Sequence, residues 1–221
     1  MHKTMSDHPK AESAVFYAIV RKKLFRGSLS QSQVDGIKRI SDLCARAELS
    51  IKQTAYVLAT VYHETGQRMQ PVRETFADSD RQAIGRLDYA WSKGQLTWVK
   101  HPYWRPDAKG RSWFGRGDVQ LTHEHNYVRQ QEKLVHHPLR PTLVPYAVHD
   151  DPSMALDPQT SALICVLGMR DGDYTGKCLR DYIDGSRADY LHARRIVNGM
   201  DRASDIAGYA RAFESAIRSA S

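Results

Sequence analysis

Cysteine is scarce in this chain, with Cys44, Cys165 and Cys178 widely spaced and odd in number. That excludes a scaffold stapled by disulfides and points to synthesis in a reducing compartment. Cys44 and Cys165 fall in apolar helical runs and read as small buried hydrophobes. Long apolar stretches are also missing. Nothing approaches the length of a membrane span, so stable membrane insertion is not expected. The opening MHKTMSDHPKAESAVFYAIVRKK meets charge at Arg21 before an apolar segment long enough for a signal peptide has formed. The expected product is therefore made in the cytoplasm, and it would need help to act beyond it.

Several chemical signatures are absent. A zinc helix of the His-Glu-x-x-His type starting at His63 would need histidine where Gln67 stands. His123, Glu124 and His125, and the pair His136-His137, lack the i, i+4 spacing of helical metal ligands. The run DGDYTG from Asp171 begins like a calcium loop, but its twelfth position is Tyr182 instead of Glu. Gly-rich phosphate loops, Cys-x-x-Cys pairs and a Ser-His-Asp arrangement do not occur. No metal and no cofactor are expected. Repeats and low-complexity linkers are missing too.

What is present is helical periodicity. With 221 residues, 41% of them hydrophobic, the chain suits one domain or two lobes sharing a core. Residues 1–12 are expected to be a flexible N-terminal segment, and 13–221 a single catalytic domain without a separate wall-binding module. Val34, Ile37, Ile40, Leu43 and Cys44 share a face, and Ser30 with Gln33 forms a capping-box pattern. Ser50 with Gln53 opens a second helix, which Gly66 closes. Asp157-Pro158 starts a third helix that ends at Gly172, and Ile206, Ala210, Phe213 and Ile217 line a last one. The stretch SRADYLHARRIVNG reads as a shorter helix stopped by Asn198-Gly199. Residues 76 to 120 hold Trp91, Trp98, Trp104 and Trp113 and read as loop-rich, with a hairpin around Asp107 to Gly110. The fold class is mainly α.

Two glutamates stand out in LATVYHETGQRMQPVRET. Val57, Val61 and Glu64 fall at i, i+4 and i+7, so Glu64 extends an apolar stripe into the last helical turn. Partial burial and the negative end of the helix dipole would both disfavour its ionised form, as a general acid requires. Glu74 lies on a loop beside Arg73, with Arg68 near in sequence, and positive charge would keep it ionised. Such a pair fits glycosidic bond cleavage, in which one carboxyl protonates the leaving oxygen and the other activates water or attacks. Equally, Glu64 could be a helix end and Glu74 a surface acid.

A second stretch adds to the first. WFGRGDVQLTHEHNY, residues 113 to 127, resembles the signature of family 19 glycoside hydrolases, the chitinase-related group that includes many phage endolysins. The His63-Glu64-Thr65 segment resembles the one that carries this family's general acid. LSQSQVDGI, MQPVRE, YWRPDAKGRSWFGRG, MRDGDYTGK and ARRIVNGMDRASDIAGYARAF extend the likeness over residues 24 to 217. The resemblance implies a lysozyme-like, two-lobed helical fold with a small β-hairpin region and a central substrate cleft. It implies Glu64 as general acid and Glu74, with Thr75 beside it, as the second carboxylate. Gln120, Thr122, Asn126 and Asn198 match polar positions lining the sugar cleft, where amides can both donate and accept. Thr122 also suits the N-cap of the following helix. Gly115 and Gly117 read as backbone requirements, Arg116 as the partner of a buried acid and Tyr127 as core. Met200 and Asp205 depart from the plant chitinase pattern, which turns the expected substrate from chitin toward peptidoglycan.

The expected partner is thus the peptidoglycan glycan strand, cut at β-1,4 bonds by a monomeric, muramidase-like enzyme that reaches the periplasm by holin-type release. A chitinase on the same scaffold is the alternative enzyme. A basic nucleic-acid-binding module would account for the net charge of +7, but its basic residues are scattered, and it leaves the glutamates unexplained. Charge of this sign favours an anionic polymer. Pelleting with purified sacculi should weaken steadily from low to high ionic strength, because exposed charges are screened; a flat curve would remove the net charge from substrate capture.

Overall fold

The computed structural model describes residues 13–140 and 146–220. The expected N-terminal segment 1–12 lies outside them. Among the described residues the chain is mainly helical, with eight α-helices, three short 3₁₀ turns and two small two-stranded antiparallel sheets. It divides into two compact units: the chain up to Met69 together with the stretch from Cys165 onward, and the contiguous stretch Gln70–Ile164. No helix is long and apolar enough to cross a membrane.

The first unit is built on α1 (Ala14–Lys23), α2 (Gln31–Arg46) and α3 (Ile51–Glu64). Both expected capping boxes form: Ser30 and Gln33, then Ser50 and Gln53, exchange side chain-to-backbone hydrogen bonds. α3 is buried without a break from Thr54 to Tyr62. It is therefore a core helix, not one with a single apolar stripe. It packs on α8 (Ala203–Ala220), as does α1. Ile206, Ala210, Phe213 and Ile217 are all fully buried on α8, as the periodicity requires.

α3 ends as expected at Gly66. The Gly66 N–H donates to His63 O at 3.1 Å and the Gln67 N–H to Tyr62 O at 2.7 Å, which closes the helix with a Schellman motif. The chain then doubles back through Gln67 and Met69, both at positive φ. Thr65 fastens this return, donating to Val61 O at 2.7 Å and accepting from the Met69 N–H at 3.0 Å. Met69 is buried directly over Gly36 of α2, where a Cβ would lie 1.8 Å from the Met69 carbonyl oxygen.

Later in this unit, α6 (Pro158–Asp171) runs across the boundary and ends at Gly172, φ 85°. Its start is capped by Asp157, which accepts from the Thr160 N–H at 2.8 Å. The helix expected from Ser186 to Asn198 does not form. Instead α7 (Leu179–Tyr182) leads into a hairpin of β3 (Ile183–Asp184) and β4 (Arg187–Ala188), followed by a 3₁₀ turn, His192–Ile196. The reason is local: Gly185, at φ 52°, permits a two-residue turn. Asp189 then accepts from both the backbone and the ring of His192, holding a single tight turn. The three cysteines are buried thiols, and none forms a disulfide among the described residues.

In the second unit, β1 (Val72–Arg73) pairs with β2 (Arg116–Gly117). The turn at Asp107 to Gly110 is present, the Gly110 N–H donating to Asp107 O at 2.9 Å, but no strands flank it. Backbone bonds cross the turn from Asp107 N–H to Arg111 O at 2.8 Å and from Trp113 N–H to Tyr103 O at 3.1 Å, and the Asp107 carboxylate adds bonds from the N–H groups of Lys109 and Arg111 and from the Arg111 side chain. The region expected to be loop-rich contains α4 (Asp80–Ser92), capped by Ser79. Ala83 and Leu87 of that helix join Ala77, Trp104 and Phe114 in a core cluster. α5 (Glu124–Val135) completes the unit.

Gly36→Ala should destabilise the protein by about 3 kcal/mol or more, because the clash is with backbone that cannot rotate away. Gly208→Ala on α8, where a Cβ meets nothing within 4 Å, should instead stabilise by up to about 1 kcal/mol. Urea unfolding of the two variants measures both, and equal effects would overturn this account of the loop after α3.

Candidate active site

The expected site residues fall into two groups, one in each unit. In the first unit, Glu64 is the last residue of α3, and its side chain is 17% exposed. Arg194 reaches it from the 3₁₀ turn His192–Ile196 and donates from Nη1 to Oε1 at 2.6 Å. The guanidinium is itself buried and also donates from Nε to the Asp201 carbonyl at 3.1 Å. Oε2 of Glu64 has no hydrogen-bond partner among the described residues. Asn198 joins this group through its backbone, donating to Arg194 O at 3.0 Å. Its side chain is exposed and accepts from the Gly199 N–H at 2.8 Å. Burial holds the neighbouring His63 below its ordinary value, assisted by Arg194 and opposed by Glu64.

The second group converges on Gly115. The Gly115 N–H donates to Oε2 of Glu74 at 2.7 Å, while the Glu74 N–H donates to Gly115 O at 2.7 Å. Tyr103 donates its hydroxyl to Oε1 of Glu74 at 2.9 Å. Burial raises the Tyr103 phenol well above its usual range, and the carboxylate raises it further, so this donor keeps its proton. A Cβ on Gly115 would stand 2.7 Å from the Gln120 amide oxygen and 3.2 Å from the Thr122 hydroxyl. Glycine is what allows Gln120 and Thr122 to approach the backbone here. Gln120, at φ 57°, donates its amide to Val72 O at 3.0 Å. Thr122 donates to Gln120 O, and Asn126 to Thr122 O, each at 2.8 Å. Thr122 does not cap α5: His123 occupies that position, at φ 69° and with no side-chain cap.

Thr75 is exposed and follows Glu74 at φ 60°, and Phe76 follows at φ 54°. Two successive left-handed residues, one of them β-branched, are a strained backbone. Arg86 braces it by donating to Thr75 O at 2.8 Å.

The charge environments are the reverse of those expected. The cation contacts Glu64, where burial and the helix dipole were expected to act unopposed. Arg73 does not contact the Glu74 carboxylate; its Nε pairs with Asp80 at 2.6 Å. Asp80 also takes Nη2 of Arg116 at 2.7 Å. Arg116 is 2% exposed and donates further to Ser112 O and the Tyr127 hydroxyl, with its guanidinium 3.6 Å over the Phe114 ring. It is a structural partner of a carboxylate, and Tyr127 is fully buried, as the sequence suggested. Asp80, Arg194 and Tyr103 were missed as site-shaping residues. Aspartate one helical turn ahead of Ile84 was a readable start signal, but the long-range reach of Arg194 carries no local sign.

Among the described residues, no cluster of His, Cys, Asp and Glu could hold a metal ion. No protein-family model matches the chain, and comparison with curated proteins finds no match. The resemblance to family 19 therefore rests on the quoted motifs alone.

Burial on its own would raise the Asp80 carboxyl, but hydrogen bonds from Arg73 and Arg116 outweigh it and hold the group below its ordinary value. A depressed folded value stabilises fully above the unfolded value of about 3.9, and that stability is lost as pH falls through the folded value. Asp80→Asn should cost on the order of 2 kcal/mol at neutral pH, chiefly by leaving Arg116 buried and unpaired. The gap between wild type and variant should narrow as pH falls below about 4. Denaturant melts across that range test it; a gap independent of pH would mean that the ion pair does not contribute.

Proposed function

We propose that this chain is an endolysin-type glycoside hydrolase of lysozyme-like fold, cutting β-1,4 bonds of bacterial peptidoglycan in a muramidase-like manner and so lysing the cell. The observation that carries the reading is the state of Glu64. It is a mostly buried carboxyl at the end of a core helix, with one oxygen fixed by Arg194 and the other unpartnered. A surface acid at a frayed helix end would be neither mostly buried nor fixed by a buried guanidinium.

In this reading Oε2 of Glu64 carries the proton that passes to the leaving glycosidic oxygen as the C–O bond breaks. Arg194 holds the carboxyl in one orientation, and bound sugar would exclude water from around it. Glu74, oriented by Tyr103 and Gly115, supplies the second carboxylate for the incoming water or the sugar carbon. Gln120, Thr122, Asn126 and Asn198 would contact sugar hydroxyls and N-acetyl groups; in Gln120 and Asn126 the amide nitrogens are committed to backbone carbonyls, which leaves their oxygens to accept. The net charge of +7 suits an anionic wall polymer. Action in the periplasm would follow release through a holin-type lesion.

Glu64→Gln should lower clearing of purified sacculi at least ~100-fold while the protein stays folded and wall-bound. Glu74→Gln should be comparably impaired. The roles separate on an aryl glycoside of these sugars with a good leaving group, which needs no protonation: Glu64→Gln should recover on it and Glu74→Gln should not. The opposite pattern exchanges the two roles. Near-normal clearing by folded Glu64→Gln overturns the mechanism, and turnover of chitin oligomers without sacculi moves the substrate to chitin.

A further inference from the structure

Trp98 is 74% exposed and Tyr89 is 64% exposed, unusually open for rings of that size. Both belong to the end of α4 and the turn beyond it. α4 closes with a Schellman motif, the Gly94 N–H donating to Trp91 O and the Gln95 N–H to Ala90 O. The chain then makes a tight turn in which the Val99 N–H donates to Leu96 O at 3.0 Å. Leu96 and Val99 pack inward on the Trp104 cluster, and the Trp91 indole donates to Val99 O at 3.4 Å. The turn is thus pinned to the helix end, and Trp98 is the residue it presents outward.

Between Asp88 and Asp107, which are themselves paired with Arg105 and Arg111, the segment carries charge of one sign. From Tyr89 to Pro106 there is no acidic residue, while Lys93, Lys100 and His101 are exposed. Arg105 is already paired with Asp88. Among the described residues Lys93 and Lys100 form no ion pair, and Lys93 lies 5.6 Å from the Tyr89 ring centroid. Aromatic rings with a polar edge, flanked by lysines and free of acid, match the interfacial layer of a bilayer, where indole and phenol rings sit at headgroup depth and lysines meet anionic lipid. Sugar-binding surfaces, by contrast, set carboxylates and amides beside the ring, and here Gln95 is the one amide near Trp98 in sequence.

We propose that the end of α4 and the Leu96–Val99 turn form a peripheral docking site for an anionic phospholipid surface, with Trp98 and Tyr89 entering the headgroup layer and Lys93 and Lys100 meeting lipid phosphates. This site is independent of the hydrolase assignment, and a non-catalytic protein could carry it.

The test is co-sedimentation of the full chain with vesicles of phosphatidylcholine, with and without phosphatidylglycerol, alongside purified sacculi. The wild type should partition onto the anionic vesicles alone. Trp98→Ala should weaken this about tenfold, and Trp98→Tyr should keep most of it. Lys93→Glu with Lys100→Glu should weaken it on the order of 30-fold or more. Lys22→Glu with Lys177→Glu makes the same charge change at exposed positions elsewhere, and should have a much smaller effect. Equal losses from both double variants would reduce the effect to net charge and overturn the site. So would absence of anionic preference, or unchanged vesicle binding by Trp98→Ala. Loss of sacculus binding with intact vesicle binding in Trp98→Ala would make the surface a sugar platform instead. All substituted side chains are exposed, and a thermal melt of each variant checks that it is folded.

Discussion

A guanidinium that loses its water must find partners, and in the Gln70–Ile164 unit the burial of Arg116 sets the geometry of everything near Glu74. Arg116 draws Asp80 from the first turn of α4, the carbonyl oxygens of Ser112 and Phe114, and the Tyr127 hydroxyl from α5. Those bonds fix the strand through Gly115, and Gly115 in turn holds both the backbone and the carboxylate of Glu74. Removing one partner of such a hub leaves a desolvated charge, so the arrangement holds as a set or not at all. The exposed, strained Thr75-Phe76 step is tolerable because the residues on either side are over-determined.

The two glutamates show a shared design with different donors. Each carboxylate is oriented by groups distant in sequence: Glu64 by Arg194, and Glu74 by Tyr103 and Gly115. Glu64 is held through one oxygen by a cation, and Glu74 through both oxygens by neutral donors. A neutral hydroxyl and a backbone N–H orient a carboxylate without placing full charge beside it, whereas a guanidinium does both.

The helices α2, α3, α6 and α8 were legible in the sequence because their caps and apolar periods are local signals, down to both capping boxes and the Gly66 stop. What failed was also local in appearance. Ser186 to Asn198 has helical composition, yet Asp184-Gly185 starts a hairpin and Asp189 holds a single tight turn, so short-range side-chain bonds defeated propensity. The Asp107 turn was recognised, but the few backbone bonds beside it are too isolated to make strands, and the Asp107 carboxylate does much of the holding. At the site, the roles of Gly115, Arg116 and Tyr127 could be read from their residue types. The carboxylate environments could not, because Arg73 pairs with Asp80 instead of its neighbour Glu74, and Arg194 approaches Glu64 across a sequence separation of 130 residues.

That last separation has a bearing on how the protein is made. The unit holding Glu74 is one continuous stretch of chain, while the unit holding Glu64 is completed only by its C-terminal segment. As the polypeptide leaves the ribosome, Gln70–Ile164 is whole before α8 exists. Until then α3, buried along its length from Thr54 to Tyr62 in the finished fold, has no α8 to cover it, and Glu64 has no Arg194. A nascent chain in this condition exposes its stickiest helix for most of its synthesis, which is the situation that recruits chaperones. The same delay leaves Glu64 without its partner until Arg194 has been added, so the Glu64–Arg194 pair forms late in synthesis.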